Sequence, residues 1–236
     1  LQAGADMLLM PPDMDVAFHA VLDAVRSGEI AESRIDESVR RILALKEKLG
    51  LFENPLVDTE RVFDVVGAPE HEAVAREAAE RSITLLKNAQ GALPVDLGPG
   101  RRLLVTGWGE SATQNLAAIL GRRGAGVETI TIGASPDEAL IRRAVEAARR
   151  SDLVVLITYN VAQNPAQEGL ARALVEANAE VIAVAAGMPY DVDVLPFVGT
   201  VIATYGFRDV SLEALARVLA GERSAPGRSP VALSTP

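Results

Sequence analysis

From Pro69 onward, short and continuously apolar runs alternate with amphipathic ones, and this alternation restricts the possible folds more than any other feature of the chain. The apolar runs are "SITLLKN", "RLLVTG", "VETITI", "DLVVLITY", "EVIAVAA" and "TVIATY". Helices are predicted over about 70–81, 112–123, 136–150, 165–177 and 211–219, where apolar residues recur at helical spacing. Strands that are apolar on both sides belong in a sheet covered on both faces. Right-handed crossovers between parallel strands wind the helices onto those two faces. The expectation for residues 69–236 is an α/β fold: a doubly wound, mostly parallel, flavodoxin-like α/β sandwich.

The segment before it reads differently. The chain opens "LQAGADMLLMPPD", with Asp6–Met10 predicted as a buried strand. In "DVAFHAVLDAVRSG", Val16, Ala20, Val21 and Val25 recur at roughly helical spacing, and Gly28 is a C-terminal stop. In "AESRIDESVRRILALKEKLG", Ser33 is the expected N-cap, and Asp36 and Glu37 lie in the first turn, where negative charge favours the helix dipole. Ile35, Val39, Ile42 and Leu49 form one stripe that needs a partner surface, and Gly50 ends the helix. The stretch "LFENPLVDTERVFDVVGAPEH" has two prolines and no sustained period, which marks 55–68 as a linker between residues 1–54 and 69–236.

Composition removes several function classes. The net charge is −9, and no Lys/Arg cluster is large enough to neutralise several phosphates, so nucleic acid is not an expected partner. The densest basic stretch, "RRAVEAARR" (Arg142–Arg150), interleaves its arginines with Glu and Ala and reads as a solvated helix face. The longest apolar run, "VIAVAAGMPY", is too short for a membrane segment. With no cysteine, disulfides, thiolate metal sites and cysteine nucleophiles are excluded. His19 and His71 lack the spacing of a metal site or a catalytic triad, and neither a metal nor an organic cofactor is expected. Compartment, cytoplasmic or secreted, stays open.

Three motifs follow predicted strands. "TGWGES" (Thr106–Ser111) carries Gly-x-Gly, but Ala112 stands where the dinucleotide fingerprint has its third glycine, which favours a tight turn. In "NPAQEG", Glu168 lies at the C-terminal edge of the sheet, where such folds bind ligands. Pro165 just before it makes Gln167 and Glu168 look like first-turn helix residues. In "MPYDVDVLP", Asp191 has two readings: a cap of the next turn, which is favoured, or a ligand-facing carboxylate. Read from its residues alone, the chain contains no complete catalytic constellation.

Four blocks, in order, carry a resemblance: "AGADMLLMP", "AVRSGEIAESRIDESVRRILALKEKLGLF", "AREAAERSITLLKNAQGALPV" and "VLAGERSAPGRSPVAL". They resemble glycoside hydrolase family 3, in which an N-terminal (β/α)8 (TIM) barrel precedes an α/β sandwich. The resemblance implies that Asp6–Met10 is the eighth barrel strand, with the barrel's closing helices after it. Residues 1–54 would then be the C-terminal remnant of a glycosidase barrel. The family's nucleophilic aspartate belongs to a Ser-Asp motif upstream of Leu1. Members resembling β-glucosidases carry an acid/base in a Glu-Gly-x-Asp-Arg motif after the strand equivalent to "DLVVLITY". Here "NVAQNPAQEGLARAL" follows, and Glu168-Gly169 lacks the Asp-Arg. The β-N-acetylhexosaminidase branch takes its acid/base from a barrel loop instead. The implied parent is a retaining exo-β-N-acetylglucosaminidase acting on a GlcNAc-containing, cell-wall-derived carbohydrate, the chain alone being inactive. A β-glucosidase or β-xylosidase parent and a non-catalytic α/β binding module are the alternatives. Substrate-binding candidates within the chain are Met10 and Asp13, at the C-terminal end of the presumed last barrel strand, together with Glu168 and Asp191.

Overall fold

The computed structural model describes residues 1–89, 91–133, 135–177 and 180–234, and the chain divides into two compact units, Leu1–Gly67 and Ala68–Pro236. Two helices dominate the first unit, α1 (Met14–Arg26) and α2 (Glu32–Lys48). Asp13 starts α1, its carboxylate accepting from the Val16 N–H at 2.9 Å and so satisfying one of the free donors of the first turn. The cap of α2 differs from expectation. Ala31 holds the N-cap position without a side-chain bond, and Ser33 lies inside the first turn. Apolar side chains of both helices line an open groove of about 290 Å³, with Met14, Phe18, Val21, Ile35 and Ile42 on its walls.

No strand forms over Asp6–Met10. A strand exists through the ladder it shares with a neighbour, and among the described residues Leu1–Gly67 contains no other strand. The segment is tied to α2 by its carboxylate instead. Asp6 accepts from Arg34 (3.0 Å), Ser38 (2.8 Å) and Arg41 (3.2 Å), and Arg34 also donates to the Ala5 carbonyl at 3.1 Å. Arg41 pairs in addition with Glu37 one turn earlier. Within 55–68 the backbone makes a 3-10 turn at Thr59–Arg61 and a four-residue helix, α3 (Val62–Val65).

The second unit begins with α4 (Pro69–Ser82), whose proline occupies the first helical position, where a missing N–H costs nothing. β1 (Thr84–Asn88), β2 (Arg102–Trp108), α5 (Glu110–Gly121) and β3 (Gly126–Ile132) follow. Next come α6 (Glu138–Ala148), β4 (Leu153–Thr158), α7 (Ala166–Glu176), β5 (Val181–Ala185) and the short α8 (Asp191–Val194). β6 (Thr200–Ala203) and α9 (Asp209–Leu219) complete the unit. The sheet order is β1-β6-β5-β4-β2-β3. Counted without β1, the five parallel strands have the flavodoxin order 2-1-3-4-5. β1 adds an antiparallel edge, pairing Thr84 with Ala203 and Asn88 with Thr200.

Two cores lie on opposite faces of this sheet. Leu103, Val105, Val155, Ile157, Ile182 and Val184 meet α4, α5 and α9 through Ala79, Leu116, Leu120, Leu212 and Leu215. Their sequence neighbours Leu104, Val154, Leu156, Ala183 and Val201 point the other way, onto α6, α7 and α8 through Ala144, Ala148, Leu170, Leu174 and Val192. This is the two-residue period of a strand buried on both sides. Each fully buried Leu, Ile or Val contributes about 1.5–3 kcal/mol relative to exposure, and all six residues of β4 are buried.

Candidate functional site

The C-terminal ends of β2, β4, β5 and β6 emerge on one edge of the sheet, and the loops that follow them carry its most unusual geometry. After β2 the chain turns at Gly109 (φ 82°) directly into α5, with the Thr113 hydroxyl donating to the Gly109 carbonyl at 2.8 Å. Gly107, within β2, has φ 114°, and a Cβ there would lie 2.1 Å from the Ile157 carbonyl of β4, so only glycine fits. "TGWGES" is thus a strand-to-helix turn with its glycines set by backbone needs.

The loop after β4 is held from two helices. The amide of Gln167, in the first turn of α7, clasps the backbone of Tyr159. It accepts from the Tyr159 N–H at 3.0 Å and donates to the Tyr159 carbonyl at 2.9 Å. Asp191, the first residue of α8, accepts from the Thr158 hydroxyl at 2.6 Å and the Val161 N–H at 2.9 Å. Its carboxylate therefore bonds the β4 loop, whereas the cap reading placed those bonds on its own turn. Burial raises the Asp191 pKa above its ordinary value, and the Thr158 and Val161 donors oppose that rise. Between these anchors Asn160 adopts a left-handed conformation (φ 52°) and leads into a 3-10 turn at Val161–Gln163.

Three half-buried rings meet on this edge. Trp108, at the end of β2, stacks on Tyr159 with centroids 4.1 Å apart and planes 13° apart. Phe207, after β6, stands edge-on to Trp108 at 5.1 Å and to Tyr159 at 6.2 Å. The Arg208 guanidinium lies 5.5 Å from the Phe207 ring centre. From the loop after β5, Met188 and Tyr190 are exposed. Aromatic residues are scarce in the chain (one Trp, three Tyr, five Phe), and three of them meet in this cluster: all three rings are flat and apolar, and Trp108 and Tyr159 add an N–H and an O–H at the edge. None of the three stood out in the sequence. The available signal was their position, each within a few residues of a strand's C-terminal end.

The four sequence candidates fall in separate places. Glu168 is on the first turn of α7 and pairs with Arg172 at 2.7 Å. Asp191 is buried beneath the β4 loop. Met10 is exposed with a left-handed backbone (φ 50°), and Asp13 caps α1. Within the second unit the structure brings together Asp191 and the β4 loop, while Glu168 points its carboxylate into an ion pair. Among the described residues, no group of three or more His, Asp or Glu side chains is placed to hold a metal ion, and no helix is long and apolar enough to cross a membrane.

A six-stranded, mostly parallel sheet with helices on both faces, in flavodoxin strand order, defines an α/β-sandwich domain. The chain belongs to glycoside hydrolase family 3: residues 83–235 match the Glycosyl hydrolase family 3 C-terminal domain and residues 1–45 the Glycosyl hydrolase family 3 N terminal domain. A Beta-N-acetylglucosaminidase/beta-glucosidase of Cellulomonas fimi is 30% identical over 98% of this chain and 44% of its own length. A Lysosomal beta glucosidase of Dictyostelium discoideum is 40% identical over 49% of this chain and 14% of its own length. Among solved structures, a glycoside hydrolase family 3 beta-N-acetylglucosaminidase from Paenibacillus sp. str. FPU-7 superposes with a TM-score of 0.79 at 30% identity. That match covers 100% of this chain and 47% of the other. The chain thus spans under half the length of these relatives.

Proposed function

We propose that these residues are the C-terminal part of a retaining exo-β-N-acetylglucosaminidase, with the nucleophile and the acid/base both on a preceding barrel. One observation carries the choice of branch. The loop after β4, Tyr159–Pro165, contains no carboxylate, and the next one along the chain, Glu168, is paired with Arg172. The Gln167 clasp further commits the start of α7 to holding Tyr159. A second-domain general acid has no side chain to serve it at that position. Family membership and the names of the Cellulomonas and Paenibacillus relatives support the same reading.

In that chemistry a carboxylate attacks the anomeric carbon while a general acid protonates the leaving oxygen, and water then releases the sugar with the same group acting as base. The substrate class is a glycan with terminal GlcNAc, such as a cell-wall fragment. In an intact barrel, where Asp6–Met10 would have a strand to pair with, Met10 and Asp13 would stand at the rim of the substrate site. The glucosidase and xylosidase names among the relatives keep a β-glucosidase or β-xylosidase parent as the second reading. Parallel assays of the longer protein on aryl N-acetylglucosaminide, glucoside and xyloside decide between them. The expected result is a higher kcat/KM on the N-acetylglucosaminide, with no turnover by the 236-residue chain alone. Preference for the glucoside or xyloside, or turnover by the chain alone after contaminating hexosaminidases are removed, overturns the proposal.

A further inference from the structure

Two buried polar side chains serve one surface loop. Gln167 and Asp191 are 3% and 2% exposed, and both direct their hydrogen bonds at Thr158–Val161. Burying an amide and a carboxylate is unfavourable unless every polar atom finds a partner. A loop that only had to cover the core would be better served by apolar side chains. The same loop contains Asn160 in a left-handed conformation. It also meets the loop after β5 at Gly187, where a Cβ would lie 2.8 Å from the Asn160 side-chain oxygen and 3.1 Å from the Tyr159 ring. Strained backbone held from several sides is characteristic of ligand sites, where the surroundings over-determine it.

What this clamp fixes is the ring of Tyr159, and through the 4.1 Å stack the ring of Trp108. We infer that Gln167 and Asp191 are positioning residues, holding Tyr159 against Trp108 so that these rings and Phe207 form a preset stacking surface for a pyranose ring of the glycan. The inference rests on the glycan-acting function proposed above. A pyranose presents a face of C–H groups with slight positive charge, which suits the negative face of an aromatic ring. Holding such rings in place beforehand removes the ordering cost from binding.

Trp108 is the only tryptophan of the chain, so its emission reports the stack directly. The test titrates the 236-residue chain with N,N′-diacetylchitobiose, reading Trp108 fluorescence, with far-UV circular dichroism as the folding control. The wild-type chain is expected to respond. Gln167→Met and Asp191→Ala should shift Trp108 emission before any sugar is added and weaken binding by roughly ten- to a hundredfold. Asp191→Asn keeps an oxygen acceptor for the Val161 N–H and should bind within about twofold of wild type, whereas Asp191→Leu, which fills the space without an acceptor, should behave like alanine. Rescue by leucine as well would show that Asp191 only fills space and overturn its positioning role. If Gln167→Met does not fold, Gln167→Glu replaces it, since it keeps the acceptor for the Tyr159 N–H and removes the donor to the Tyr159 carbonyl. Emission and affinity unchanged in Gln167→Met and Asp191→Ala overturn the positioning role. A wild-type chain that gives no response removes the pyranose from the proposal, while the sugar-free emission of the variants still decides whether Gln167 and Asp191 position the rings.

Discussion

In Ala68–Pro236 every residue of β4 is buried, whereas in Leu1–Gly67 the helices α1 and α2 together bury a single residue, Ser38. The contrast is not one of composition. Leu8, Leu9, Met10, Met14 and Phe18 are as apolar as anything in the sheet, yet all are exposed. The difference lies in where each unit finds its partners. The sheet unit carries both of its covering layers within its own sequence, three helices for each face. The first unit presents amphipathic helices whose apolar residues line an open groove between α1 and α2, together with Leu1, Leu8 and Pro11 of the opening segment. Periodicity therefore marks the face that favours burial, and whether that face is covered depends on which other segments are at hand.

The largest effect that would sharpen this contrast is at Gly107. Ala there places a methyl group 2.1 Å from a backbone oxygen of the neighbouring strand at φ 114°, so β2 and β4 cannot both keep their places. Loss of a cooperative urea transition is the expected outcome, and an unfolding curve like the wild type's would contradict it. Leu156→Ala comes next. It opens a cavity under α6 and α7 and should lower the unfolding free energy by about 2–5 kcal/mol. Its counterpart in the first unit, Leu9→Ala at a residue 88% exposed, should stay within about 0.5 kcal/mol of wild type. Equal costs at the two leucines would break the comparison.

The central parallel strands were legible because each is largely apolar and flanked by a helix of matching period, so local pattern and global arrangement agree; the edge strand β3, with Glu128 and two threonines, carried the pattern more weakly. The antiparallel setting of β1 was not legible, since an edge strand's direction depends on the path the chain takes to reach it. Asp6–Met10 was legible as apolar, but the buried strand expected there does not form and Met7–Met10 are exposed, because pairing and burial are properties of the neighbour. The site was harder. Gln167 looked like a first-turn helix residue, and it is one, but its amide reaches back to the Tyr159 backbone. Trp108, Tyr159 and Phe207 lie far apart in sequence, and only the strand order brings them together. Spacing along a chain carries no information about such a cluster.

The smallest expected effect separates the two units by the sign of a titration. In the first unit, the Ser38 hydroxyl donates to Asp6 and, opposed by some desolvation, combines with the Arg34 and Arg41 donors to hold its pKa below the ordinary 3.8. The unfolded chain therefore takes up a proton before the folded one does. The stability this group contributes is present above pH 3.8 and is lost as the pH falls through the lowered value. In the second unit, burial moves Asp191 the other way, so the folded chain keeps its proton after the unfolded chain has released it. Stability from Asp191 consequently declines as the pH rises from 3.8 through the raised value. Urea unfolding of Asp6→Asn and Asp191→Asn against wild type, from about pH 3 to pH 7, reads both slopes. The deficit of Asp6→Asn should shrink on acidification, because the wild-type carboxylate is then protonated as well. Asp191→Asn should gain on wild type as the pH rises, because it has no charge to bury while its side-chain oxygen still accepts from the Val161 N–H. Parallel profiles for the two variants would show that both carboxylates see the same solvent, and would remove the distinction between a unit whose charges stay at the surface and one that uses a buried carboxylate to hold a loop.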